Sequence, residues 1–262
     1  MDKRVVSRVL TGFGAHEGDC RLGVLAFGDS ITNGGGELQW GVALQSWALW
    51  VARGLGLPFT CYAVDGATVP DVVGSQIPAF SDRSVAGAQY QLGCLYIGVN
   101  DVRTVEWDPV AFEAGFRRAM QFLAGRCERV LTITAPLDLG RPRAGAKVGD
   151  LDAIIERVAG ELGALVVDLR AWGARNFVMT DHVHPTAFGQ IDIAERALSV
   201  LAGDGMPVSV APSALIFYET TRWQRLRADA AYAYRHAKVS ARSAALLARL
   251  RWSGGRRLTA AP

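Results

Sequence analysis

Five short stretches of this chain, residues 22–27, 59–64, 93–97, 130–134 and 165–168, are largely apolar and show no alternation of inward and outward side chains. A strand that alternates has one wet face, whereas a run that stays apolar is buried on both faces, as in a parallel sheet covered by helices. Between these runs lie stretches with helical spacing: 40–55, a short one at 69–76, 108–125, 150–162 and 185–201. Two carry punctuation: Gly56 and Pro58 follow the first, and Asp108-Pro109 opens the third with a cap and a first-turn proline. Repeated strand–helix alternation predicts an open, doubly wound α/β sheet with five parallel strands.

In such sheets the site lies beyond the carboxyl ends of the strands. That rule selects Gly28-Asp29-Ser30, Asp65-Gly66, Gly98-Val99-Asn100-Asp101 and the loop after Asp168. A serine just past a buried strand is held in a fixed place, but its hydroxyl is a weak nucleophile until a base takes its proton. An asparagine amide at the same edge can donate to a developing oxyanion, or it can simply close a turn. Gly66 lets a backbone N–H approach a ligand, or it supplies a positive φ to a strand–helix turn.

Further on comes Thr180-Asp181-His182-Val183-His184-Pro185. Asp181 and His184 are three residues apart, close enough for the carboxylate to fix the imidazole tautomer. The same residues admit two other readings: a metal site built on His182, His184 and Asp181, or Asp181 as the cap of the helix that follows. A nucleotide-binding reading of the glycines between Gly28 and Gly36 lacks the Gly-Lys-Ser/Thr that should follow them.

Taken together, these pieces fall in order on one edge of one sheet, and from about residue 22 to residue 201 the chain resembles the SGNH hydrolases, the GDSL esterases and lipases. Gly28-Asp29-Ser30 is similar to the family's first block, with Ile31 where leucine is usual; Gly66 falls on the second-block glycine. Gly98-x-Asn100-Asp101 resembles the third block and Asp181-x-x-His184-Pro185 the fifth. Cys61 departs from the pattern, lying where the second block commonly has asparagine. The resemblance implies a flavodoxin-like three-layer α/β/α sandwich. It implies Ser30 as nucleophile, His184 as base and Asp181 as its partner. The oxyanion hole would be the Ser30 and Gly66 N–H groups with the Asn100 amide, and neither metal nor organic cofactor would be required. The expected substrate is a small-molecule, lipid or sugar ester. The acyl-enzyme is expected to pass to water; transfer to a sugar or other alcohol is the main rival, and a non-catalytic scaffold a further one.

Smaller features add expectations. Gly34, Gly35 and Gly36 suggest a mobile rim after the nucleophile. Trp40, Trp47 and Trp50 share a helix face and read as core. Cys61 and Cys94 read as small buried hydrophobes, and His236 has no sequence partner.

At 50% hydrophobic and 20% charged, the chain is not a disordered one. It has no long apolar run for a spanning helix. No apolar leader segment precedes Thr11, and the four cysteines are dispersed without a Cys-x-x-Cys pair, which together suggest a reduced, cytoplasmic protein. Residues 1–212 hold 18 Lys and Arg against 23 Asp and Glu, while residues 213–262 hold 10 against 2. The basic character therefore belongs to the tail, and a nucleic-acid partner is not expected. The chain divides accordingly into a catalytic domain, 1–205, and a basic helical extension, 206–262. In the extension Trp223, Leu226, Ala230, Ala233, Ala237, Ser240, Ala244 and Leu247 recur at steps of three and four, with Arg235, Lys238, Arg242 and Arg249 on another stripe. This amphipathic helix is expected either to pack its apolar seam on the domain, to pair with a second copy through the 213–252 region, or to lie peripherally on an anionic membrane surface.

Overall fold

The computed structural model describes residues 21–38, 42–139, 144–174, 176–216 and 221–258. Its centre is a five-stranded sheet: β1 (Val24–Gly28), β2 (Phe59–Cys61), β3 (Tyr90–Tyr96), β4 (Cys127–Ile133) and β5 (Leu165–Val167). All neighbours pair in parallel, in the order β2-β1-β3-β4-β5. The chain winds one way from β1 to β2, then returns past β1 to β3 and onward. The switch point of the topology thus lies between β1 and β3, where doubly wound sheets bind their ligands.

Helices α1 (Ser30–Asn33), α2 (Trp47–Leu55), α3 (Val69–Asp71), α4 (Ile77–Arg83), α5 (Val99–Arg103), α6 (Pro109–Ala124), α7 (Lys147–Leu162) and α8 (Ala187–Gly203) fill the connections. Helices α2 and α8 pack against each other on one face of the sheet, and α3, α6 and α7 cover the other, giving the three layers expected. The uninterrupted apolar strands account for this: every residue of β1 is buried, so neither face can be left wet.

The differences from the sequence reading have local causes. Helix α2 starts at Trp47 rather than residue 40, because Ser46 caps it by accepting the Ala48 N–H. Trp47 and Trp50 are core residues as expected; Trp40 lies outside the described residues. The helix read at 69–76 runs through a π-helical stretch, Val72–Gln76, into α4. Cys94 is buried, but Cys61 is exposed, since β2 is an edge strand.

Residues beyond 205 do not leave the domain at once. Met206 is buried, and the Ser209 and Val210 N–H groups donate to Gly54 O at 2.8 and 3.1 Å. A 3-10 turn, Pro212–Leu215, rests on α2 and α8. The final helix, α9 (Arg222–Leu258), is 37 residues long. It meets the domain through Arg235, which pairs with Glu37 at 2.5 Å, and through His236, whose ring lies 5.7 Å from that of His182. These contacts belong to the polar side of the helix. Trp223 and Leu226 of the apolar seam are 79% and 58% exposed, so the seam does not pack on the domain as one reading expected. The seam position Leu247 has a side chain outside the described residues. Among the described residues no helix is long and apolar enough to cross a membrane.

Candidate active site

The strand–turn–helix at the end of β1 fixes Ser30. Gly28 has φ +151°, and a Cβ there would come within 2.5 Å of Tyr96 O and 2.6 Å of Thr32 Oγ1, so only glycine lets β1 end this close to β3. Gln76 holds the same residue from the π-helical stretch. Its Oε1 accepts the Gly28 N–H at 3.0 Å and its Nε2 donates to Gly28 O at 2.8 Å. Asp29 then caps α1 by accepting the Ile31 N–H at 2.9 Å. Burial raises the Asp29 carboxyl to about 7, against the lowering effect of that bond.

Gly34–Gly36 lie against neighbouring backbone rather than in open space. Gly35 N–H donates to Ser30 O at 2.6 Å, and a Cβ on Gly36 would come within 2.2 Å of Pro185 O. Gly36 is where the loop after Ser30 meets the His184 loop backbone to backbone, while a Cβ on Gly34 or Gly35 would instead meet Ser46 N or Ser30 O. Gln190, fully buried in α8, locks this arrangement. Its Nε2 donates to Ile31 O at 3.0 Å and Gly35 O at 3.1 Å, while its Oε1 accepts the Trp47 N–H at 2.7 Å.

Three predicted residues meet in one chain of hydrogen bonds. Ser30 Oγ lies 2.9 Å from His184 Nε2, and His184 Nδ1 lies 2.6 Å from Asp181 Oδ2. The other Asp181 oxygen accepts the Val183 and His184 N–H groups, both at 3.0 Å. Asp181 therefore orients the imidazole and shapes its own loop, in which His182 takes φ +59°. Both His184 nitrogens are engaged by these partners, and His182 turns instead toward Asp138 and His236. The two histidines do not share a ligand position, so the metal reading loses its geometry. Asp168, at the end of β5, pairs with Arg170 and does not join the group.

The electrostatics suit a neutral base beside a fixed anion. Burial pushes the Asp181 carboxyl up, but the His184 bond and the two backbone donors outweigh it and bring the group down to about 2. The stabilisation from this carboxylate is fully present above its ordinary value of 3.8 and is lost as pH falls through about 2. The bond to Asp181 raises His184 above its ordinary 6.5, against desolvation, with help from the Asp181 and Asp29 charges. A base must be neutral to accept a proton, so a raised value moves the acid loss of activity upward. The acid limb of kcat/KM is expected to have its midpoint above 6.5, the ordinary histidine value. Because Asp29 also titrates near neutrality, the limb should be measured in Asp181→Asn as well, where Asp29 is unchanged; assignment to His184 requires the limb to move down.

Gly66 and Asn100 follow β2 and β3, the strands on either side of β1. Gly66, at φ +76°, sits in a loop tied to β1 by the Val64 N–H bond to Gly28 O at 3.1 Å. Asn100, in the first turn of α5, donates from Nδ2 to Ala67 O at 3.0 Å, and its Oδ1 accepts from Arg103 at 3.4 Å. That leaves the second Nδ2 hydrogen available. Asp101 anchors the same loop by accepting the Val69 N–H at 3.0 Å. The N–H groups of Ser30 and Gly66 make no hydrogen bond to any described residue.

Gln76, Gln190 and Arg103 were not singled out from the sequence. Gln190 carried a usable signal: an amide at an apolar-face position of the 185–201 helix must find partners inside the protein. Gln76 lay in a π-helical register that no 3.6-residue period reveals.

The sequence matches the GDSL-like lipase/acylhydrolase family over residues 26–190. No curated protein matches it. Among solved structures, a member of the lipolytic G-D-S-L family from Veillonella parvula is similar with a TM-score of 0.56 and 22% identity, over 69% of this chain and 98% of that one. A variant of Axe2, an acetyl xylan esterase from Geobacillus stearothermophilus, gives 0.54 and 20%, over 72% and 96%. LAE5, an alpha/beta hydrolase enzyme from the metagenome of Lake Arreo, gives 0.54 and 21%, over 69% and 94%. At these identities the structural likeness bears on the fold.

Proposed function

The chain belongs to the GDSL-like lipase/acylhydrolase family, and on that premise we propose that it cleaves carboxylic esters through an acyl-enzyme on Ser30. The observation that carries this reading is the unbroken hydrogen-bonded line from Ser30 Oγ through His184 to Asp181. In the first half-reaction Ser30 Oγ bonds to the ester carbonyl carbon while its proton passes to His184 Nε2. The carbonyl oxygen becomes an oxyanion, facing the Ser30 and Gly66 N–H groups and the free Nδ2 hydrogen of Asn100. Collapse breaks the bond to the alcohol oxygen, which leaves with the proton from His184. Water then repeats the sequence on the acyl-enzyme and releases the acid. Asp181 stays ionised throughout and stabilises the imidazolium. A scaffold without chemistry would need none of these distances.

The oxyanion role yields a graded prediction. Asn100→Ala removes one of three donors, and about a 10²–10³-fold fall in kcat is expected with little change in KM. Steady-state kinetics on one p-nitrophenyl ester measures it; a fall confined to KM would remove Asn100 from the oxyanion hole.

Hydrolysis of p-nitrophenyl esters from acetyl to palmitoyl, wild type against Ser30→Ala, tests the function itself. The reading expects serine-dependent turnover, with the chain-length optimum reporting pocket depth. Turnover equal in both proteins would overturn it.

A further inference from the structure

Helix α9 lies outside the part of the chain that carries the family match, yet it borders the catalytic loops. Between them is a cavity of about 300 Å³, lined from the domain by Glu37, Leu38, Met179, Thr180 and Thr186 and from the helix by Gln224, Arg227, Tyr232 and Arg235 among others. Two features locate it. Glu37 and Leu38 continue the nucleophile loop, and the Glu37 O accepts the Ala187 N–H at 3.0 Å, just past the histidine loop. Thr180 immediately precedes Asp181, and Met179 accepts the His182 N–H and donates to His184 O. The cavity thus opens beside the His184–Asp181 loop. In a serine hydrolase the imidazole hands its proton to the leaving alcohol, so the alcohol part of an ester lies toward the histidine loop that this cavity borders.

The charges of the lining are one-sided. Among the described residues that line it Glu37 is the one acid, and Arg235 pairs with it at 2.5 Å. Arg227 makes no ion pair with another described residue. Gln224 uses its Oε1 to accept the Thr221 N–H at 2.9 Å, so its amide N–H groups remain as donors. A guanidinium and an amide at the alcohol side of an ester site form a receptor for oxygen anions. Resting on the esterase reading, we propose that this cavity takes an anionic group, carboxylate or phosphate, borne by the alcohol part of the ester, and that Arg227 sets this preference. Arg235 and His236 act as the clamps that hold α9 in place.

The test compares three acetyl esters on the full-length protein: neutral phenyl acetate, 4-acetoxybenzoate with its carboxylate, and the acetyl ester of glycerol 3-phosphate. Arg227 is exposed on the helix, so Arg227→Ala and Arg227→Glu should fold. The expected result is that Arg227→Ala lowers kcat/KM about tenfold for the anionic esters and leaves phenyl acetate unchanged. Arg227→Glu lowers it further for the anionic esters alone, and the wild-type preference fades at high salt. The carboxylate and phosphate arms tell which anion is preferred. Equal losses on neutral and anionic esters, or none, would overturn the subsite while leaving the esterase standing. Absence of Ser30-dependent turnover on all three would overturn both.

Discussion

Ser30→Ala is expected to remove ester hydrolysis almost completely, with kcat lower by about 10⁴–10⁶ and the fold intact. The two halves of this expectation come from different bonds. The Ser30 side chain contacts His184, while the structural duties of the turn fall elsewhere: Asp29 caps α1, Gln76 holds Gly28, and the Ser30 carbonyl receives Gly35 N–H. Removing the hydroxyl therefore deletes the nucleophile and little else. Without it the remaining donors can still polarise a carbonyl, which is why a small residual rate above water is expected. Kinetics on a p-nitrophenyl ester, with thermal unfolding measured alongside, checks both halves. A large drop in unfolding temperature would mean that Ser30 is structural, and retained turnover would remove it from the chemistry.

Asp181→Asn is expected to cost about 10⁴ in kcat. An asparagine can keep the oxygen that accepts the Val183 and His184 N–H groups, so the loop survives. Its amide nitrogen, at the position of the oxygen now 2.6 Å from His184 Nδ1, cannot accept a hydrogen bond. The imidazole then carries its proton on Nε2, where it faces Ser30 as a donor and cannot act as the base. The same substitution withdraws the bond and charge that raise His184, so the acid limb of the residual activity moves down. A loss without that shift would point to loop damage. Asp181→Ala, which gives up the backbone bonds as well, should be destabilised more than Asp181→Asn.

The sheet was legible because its strands are buried on both faces, a property written directly in residue type. The switch point followed, and with it the edge on which Ser30, Gly66, Asn100 and His184 had to be sought. Harder to read were features that depend on two distant segments meeting. Gly34–Gly36 look like slack in one dimension, and only the approach of Ser46, Ser30 and Pro185 backbone atoms in the fold shows why side chains are excluded there. Gln76 and Gln190 reach Gly28 and Ile31 across 48 and 159 residues. No local period encodes such a bond. The tail shows the opposite failure. Its apolar seam was plain in the sequence, but the helix meets the domain with its other side, because Glu37 and the histidine loop offer Arg235 and His236 specific partners.

The central claim is that Ser30 is a nucleophile activated by His184. It is tested most directly by labelling with a fluorophosphonate, which bonds to an activated serine oxygen and expels fluoride. Intact mass and peptide mapping should find one adduct on Ser30, absent from Ser30→Ala and slowed strongly in Asp181→Asn. Its rate should fall on acidification with the same limb as hydrolysis. An unlabelled wild-type protein, or an adduct on another residue that survives Ser30→Ala, would contradict the account.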